Sequence, residues 1–171
     1  MVHNDTLNPA AKAPADSSAP QLKSIRATGV WEGSMTTRVE SRGFTFRIDE
    51  PEVVGGTDQS PTPMQYVVGA VNGCVTVVIE TVAAERGIPI DAIDTFSHAH
   101  QDVRGFNGTA DVSPHFTDFT LTIGLSTPVP EAELDGFKRE VEKRCPAINL
   151  VRDAGVAFEL IWQVSPAQAQ Q

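Results

Sequence analysis

Basic side chains are in short supply in this chain, and they form no cluster. Lysine and arginine number 13 against 22 acids, a formal net charge of −9. That balance argues against nucleic acid or an anionic membrane surface as a partner. An apolar core is missing from Met1 to Gln21, which are mostly Ala, Pro, Ser, Asn and Asp. They do not read as a secretory signal, so the expected compartment is the reducing cytoplasm. Cysteine occurs only twice, as Cys74 and Cys145. In a reducing compartment two sulfurs are thiols or a redox pair rather than a permanent staple.

Other signatures are missing too. Gly55-Gly56-Thr57-Asp58 is glycine-rich but lacks the Lys-Ser/Thr of a phosphate loop, and reads as a turn. Ser60, Ser97 and Ser113 sit in no nucleophile-elbow pattern. His98 and His100 share a strand face, with His115 nearby, but no acid or cysteine completes a metal spacing, so solvated sheet histidines are expected. Trp31 and Trp162 read as core or interface aromatics. No internal repeat is visible.

What is present fits one domain. Residues 1–22 read as a disordered tail that cannot bury enough surface to offset its ordering entropy. Residues 165–171 read the same way, which leaves a folded part from 23 to 164. Ala27 to Glu32, Met35 to Glu40 and Phe44 to Ile48 read as a meander of three short strands, with Phe44, Phe46 and Ile48 on one face. Asp49-Glu50-Pro51 closes it.

The turn-rich loop Gly55 to Pro63 then feeds the long uncharged run that starts at Met64. Val75 to Ile79 alone would pass for a strand. The whole run is too long for one and stops at Arg86-Gly87, so a helix is expected, starting at Thr62 or Pro63. Tyr66 to Ala84 approaches membrane-spanning length, but Asn72, Thr76, Glu80 and Thr81 favour a buried core helix. By spacing, Cys74 shares a face with Val67, Ala70, Val71 and Val78. Gly69 and Gly73 would let another backbone approach closely.

Asp91 to Arg104 and Pro114 to Ser126 read as longer strands. Glu131 to Arg144 reads as a helix, acids first and bases last as the dipole prefers. Cys145 and Ile148 continue its Leu134, Phe137 and Val141 stripe, although Pro146 puts a break at Cys145. Val156 to Trp162 reads as a final strand. The order β-β-β-α-β-β-α-β makes an α+β fold, with two helices packed against mostly antiparallel sheet.

A thiol reacts as thiolate and needs a polar or cationic setting. Periodicity alone also accommodates Cys74 and Cys145 as small core residues. Sulfurs on the buried faces of the two long helices could meet, provided their Cα atoms lie within about 7 Å.

Asp49-Glu50-Pro51, Gly55 to Met64 and Gly69-Ala70-Val71-Asn72-Gly73-Cys74 resemble the first signature of the OsmC/Ohr family. Lys143-Arg144-Cys145-Pro146-Ala147-Ile148-Asn149-Leu150 resembles its second. Asp102-Val103-Arg104-Gly105-Phe106 and the last strand also fit, so the likeness runs over roughly residues 25 to 164. It implies the OsmC-like α+β fold as an intertwined homodimer, with the central helices in the middle and sheets wrapped around them. It also implies a thiol peroxidase for organic hydroperoxides that needs no metal, flavin or haem. Cys74 would be the peroxidatic cysteine and Cys145 the resolving one. An external dithiol would reduce the resulting disulfide.

By the same likeness an N-terminal arginine would hold the thiolate. Arg38 is the first candidate, with Arg42 and Arg47 behind it. The family's peroxidases orient that arginine with a glutamate directly after a proline. Here Pro63 is followed by Met64 and Gln65, which leaves Glu50, Glu52 or Asp58 to hold it. The departure keeps a second reading open, a binding module with an apolar pocket and structural cysteines. A redox sensor is a third.

Overall fold

The computed structural model describes residues 19–166. Most of the expected N-terminal tail and residues 167–171 of the C-terminal one lie outside that range. Ser165 ends the last strand.

Three strands open the fold: β1 (Thr28–Gly33), β2 (Thr36–Ser41) and β3 (Phe44–Ile48). They form an antiparallel sheet in that order, the N-terminal sheet. Each hairpin turns on two residues with positive φ, Ser34 and Met35 in the first and Arg42 and Gly43 in the second. Such turns match the right-handed twist of the strands they join.

A loop with one 3₁₀ turn (Glu52–Val54) leads to α1 (Pro63–Arg86). Thr62 caps this helix: its Oγ1 accepts from the Gln65 N–H at 3.3 Å, and Gln65 Oε1 accepts from the Thr62 N–H at 2.9 Å. Thr-x-x-Gln is a capping box readable in the sequence. Pro63 sits at the first helical position, where its missing N–H costs nothing, and left-handed Gly87 ends the helix. The helix is long and apolar enough to cross a membrane by length and composition. One face of it, Val71, Val75, Ile79, Val82 and Ala83, is buried in the core.

The second half forms the C-terminal sheet from β4 (Ala92–Gln101), β5 (Phe116–Ser126) and β6 (Ala157–Ser165), with β5 in the middle. β4 pairs with β5 antiparallel, but β6 pairs with β5 parallel. Three of the four strand pairs are antiparallel, in line with the mostly antiparallel sheet expected, and β5–β6 is the parallel exception. The helical segment between β5 and β6 carries the chain back to the end where β5 began, as a parallel crossover requires.

That segment also differs from one long helix. A 3₁₀ turn (Glu131–Glu133) precedes α3 (Asp135–Arg144), and α4 (Pro146–Asp153) follows after a break at Cys145. Pro146 forces the break, because the residue before a proline avoids helical geometry. β4 likewise ends before the expected Arg104: Asp102 caps a helical turn, α2 (Val103–Phe106).

Phe119, Leu121, Ile123 and Leu125 of β5 meet the α1 stripe together with Leu134, Phe137, Val141 and Ile148. This core belongs to the C-terminal sheet and the helices. The N-terminal sheet stands apart and connects through the Asp49 loop and through Tyr66, whose hydroxyl donates to the Arg47 carbonyl at 2.7 Å.

Candidate functional site: a pair of thiols between helices

Cys74 lies in the middle of α1, flanking the buried stripe. It is half-buried, while Val67 and Ala70 of its expected face are exposed. Its other expected neighbours, Val71 and Val78, are buried and half-buried. Cys145 is fully buried at the break between α3 and α4, in extended geometry at φ −75 and ψ 110. The two sulfurs are free and 3.7 Å apart, with Cys145 Sγ directed at Cys74 Sγ. Burial pushes the Cys145 thiol above its ordinary range, and Cys74 adds to the rise. The backbone N–H groups of Ile148 and Ala147 at the start of α4 oppose it.

The surroundings of the pair are fixed by contacts that the sequence did not reveal. Arg144, next to Cys145, does not serve the thiol. It pairs with Glu85 on α1, with Nη2 to Oε1 at 3.0 Å, and holds the Glu85 carboxyl below its ordinary range. The pair ties the end of α3 to the end of α1. Asn149 of α4 donates its side-chain amide to the carbonyls of Glu142, Lys143 and Cys145 at 3.2, 3.1 and 2.8 Å. On the sheet side of α1, Ser97 Oγ donates to Asn72 Oδ1 at 2.5 Å.

Arg38 lies on β2. Its Nε donates to Glu32 Oε1 at 3.1 Å, and Arg47 Nε donates to Glu32 Oε2 at 2.8 Å. Arg38 and Arg47 stand opposite each other across β2 and β3. Glu32 on β1 therefore separates two like charges, and its carboxyl is held below the ordinary range, chiefly by the Arg47 hydrogen bond. Among the described residues neither Glu50, Glu52 nor Asp58 forms an ion pair with Arg38, and Arg38 makes no hydrogen bond to either thiol within the protomer. Arg42 occupies the β2–β3 turn. Gln65 is engaged in the helix cap.

Asp49 organises the loop in front of α1. Its buried carboxylate accepts from Thr57 Oγ1 at 2.5 Å, from Thr36 Oγ1 at 3.1 Å, and from the N–H groups of Glu50, Thr57 and Gln59. The Thr57 hydrogen bond is the largest cause holding its pKa far below the usual carboxylate range. Gly56 passes so close to the chain that an added Cβ would lie 1.7 Å from the Glu50 carbonyl oxygen.

His98 and His100 form a separate patch on the exposed face of β4. His98 and His100 meet edge to face at 4.5 Å, and His100 Nδ1 lies 2.7 Å from Asp118 Oδ1 across the strands. His115 Nδ1 lies 2.7 Å from the Phe116 carbonyl oxygen. Among the described residues no group of three or more His, Cys, Asp or Glu is placed to hold a metal ion.

Comparison with known proteins meets this geometry from outside. The family model for "OsmC-like protein" matches residues 56–161, which include both cysteines. An OsmC-like protein from Mycoplasma pneumoniae superposes with a TM-score of 0.71 at 18% identity, over 85% of this chain and 99% of its own. An organic hydroperoxide resistance protein OsmC from Legionella pneumophila gives 0.59 at 15% identity, over 85% and 99%. The organic hydroperoxide resistance protein OhrB of Bacillus subtilis gives 0.54 at 18%, over 85% and 100%. No curated protein sequence matches the chain. The element order, the paired thiols and a family match over more than half the chain agree: this protein belongs to the OsmC-like family.

Proposed function

We propose that the protein is a cysteine-based peroxidase for organic hydroperoxides, acting in oxidative-stress defence in the reducing cytoplasm. The observation that carries this reading is the 3.7 Å separation of the two free sulfurs. Cys74 is the more accessible thiol and meets the peroxide first. Its thiolate attacks one peroxide oxygen, the O–O bond breaks, and the other oxygen leaves as an alkoxide that takes a proton to become the alcohol. Cys74 is then a sulfenic acid. Cys145 attacks that sulfur and releases hydroxide, which leaves as water with the proton from the Cys145 thiol. An external dithiol reduces the disulfide by exchange and leaves as its own disulfide. Because burial raises the Cys145 pKa, closure should keep accelerating as pH rises above the ordinary thiol range.

The protein works as a homodimer in this reading. Trp31 and Phe44 of the N-terminal sheet and Val67 and Val77 of α1 are exposed, an apolar surface that a second copy would cover. Such a dimer would also bring Arg38 to a thiol of the partner protomer, with Glu32 as the acid that orients it.

Adding tert-butyl hydroperoxide to the reduced protein tests the chemistry. Two thiols per chain should be lost, with a Cys74–Cys145 bond seen by mass spectrometry. Cys74→Ser should abolish turnover, and Cys145→Ser should leave a sulfenic acid trapped on Cys74. Thiols that survive excess peroxide would refute the reading. A groove of about 320 Å³ beside the start of α1, lined by Met64, Val68, Ala99 and Phe116, favours a second reading, a small-ligand-binding protein. In that case Cys74→Ala would leave function intact.

A further inference from the structure

Pro146 has no N–H, so the Glu142 carbonyl four residues earlier loses its helical partner. The chain leaves helical geometry at Cys145, which takes the Lys143 carbonyl out of the ladder as well. Asn149 supplies what is missing. Its Nδ2 donates to the Glu142 and Lys143 carbonyls on one side of the break and to the Cys145 carbonyl at the break itself. Its backbone N–H also donates to the Cys145 carbonyl, at 3.1 Å. A single residue thus fastens the last turn of α3 to the first turn of α4, and the fastening point is Cys145.

Closing a disulfide takes the sulfurs from 3.7 Å to bonding distance, about 2 Å. Cys74 sits well inside an unbroken helix from Pro63 to Arg86 and cannot move far without breaking backbone hydrogen bonds. The motion therefore falls on the break. From this we propose that Asn149 is the positioning residue for Cys145: it holds the thiol within reach of Cys74 and sets the rate and equilibrium of disulfide closure. The proposal rests on the peroxidase reading for the origin of the sulfenic acid. Closure itself can be driven by any two-electron oxidant.

Two variants of nearly equal size test it. Asn149→Asp has only acceptors to present to the three carbonyls, and Asn149→Leu presents nothing. Asn149→Ser is small, keeps one donor, and should fall between them and the parent even if the others fold poorly. Arg152→Gln is the control. It removes the 2.8 Å ion pair to Glu142, which also joins α4 to α3, without touching the Cys145 carbonyl. The full-length protein is equilibrated with oxidised and reduced dithiothreitol, and free thiols are counted. Closure after one equivalent of tert-butyl hydroperoxide is followed separately.

The Asp and Leu variants should shift the equilibrium towards the dithiol and slow closure by about tenfold, the scale of one lost hydrogen bond. Arg152→Gln should stay within about twofold. Asn149 variants that close like the parent overturn the proposal, and so does a control that behaves like them. A parent that ignores the peroxide but closes in dithiothreitol buffer refutes the peroxidase reading and leaves the Asn149 comparison intact. A parent that closes in neither refutes both.

Discussion

In the N-terminal sheet Trp31 is 76% exposed and Phe44 70%, whereas in the C-terminal sheet Phe119, Leu121 and Ile123 are fully buried. Both sheets have three strands, and β3 in one and β5 in the other alternate apolar with polar residues. The C-terminal sheet has α1, α3 and α4 against its inner face, while the N-terminal sheet has almost nothing from its own chain. Alternation in a sequence marks a face that will be covered; it does not say which chain covers it. The sharpest way to break the comparison is to cut each face. Phe119→Ala should cost about 3–5 kcal/mol at any protein concentration, read from urea unfolding. Phe44→Ala should cost little in a dilute protomer, about 0.5 kcal/mol or less. It should cost more as concentration rises and should shift the mass in sedimentation towards the monomer. No dependence on concentration would leave the face uncovered and remove the dimer from the reading.

The loop between the two regions should show the next largest effect. Gly56→Ala drives a methyl group into the Glu50 carbonyl, and the backbone must shift to avoid it. A loss of about 1–3 kcal/mol is expected, as for overpacking elsewhere. Asp49→Asn removes the charge that gathers the donors of that loop. The folded-state pKa of Asp49 is depressed, so its contribution is fully present above the unfolded value of about 3.9. It is lost as pH falls from there towards the folded value. The parent should therefore be more stable than Asp49→Asn at pH 7, and the gap should narrow steadily in acid. A gap that does not change down to pH 2 would show that the carboxylate's charge is not what holds the loop.

Most of the architecture could be read in advance, because it rests on local signals. Phe44-x-Phe46-x-Ile48 shows its period directly, and Arg86-Gly87 marks a helix end. The family likeness joined Cys74 to Cys145 across 71 positions, and the structure places those sulfurs in contact. What stayed hidden depends on where the chain returns in space. Nothing in Ala157 to Ser165 shows that this strand runs parallel to β5. Pro146 announced a break, but the second helix beyond it needed Asn149 to close the orphaned carbonyls, a role no spacing rule assigns. Glu32 gave no sign of bridging Arg38 and Arg47, because that bridge depends on the register of three strands. Asp49 looked like a strand end, although its buried carboxylate holds a loop together.

The smallest effect on stability belongs to Glu32→Gln. The ion pairs it removes lie on an exposed sheet, where solvent screens them, so unfolding should change within experimental scatter. Its effect on chemistry separates the two regions once more. If the N-terminal sheet only covers the dimer core, peroxide consumption by Glu32→Gln should equal that of the parent. If it also carries Arg38 to a thiol, freeing that guanidinium should slow the first oxidation of Cys74 by roughly two- to fivefold, the range of an exposed pair. Arg38→Ala should slow it further. Stopped-flow loss of the Cys74 thiol, measured in a Cys145→Ser background, isolates that step. Equal rates in the parent, Glu32→Gln and Arg38→Ala would take Arg38 out of the site and leave the thiol pair to act without it.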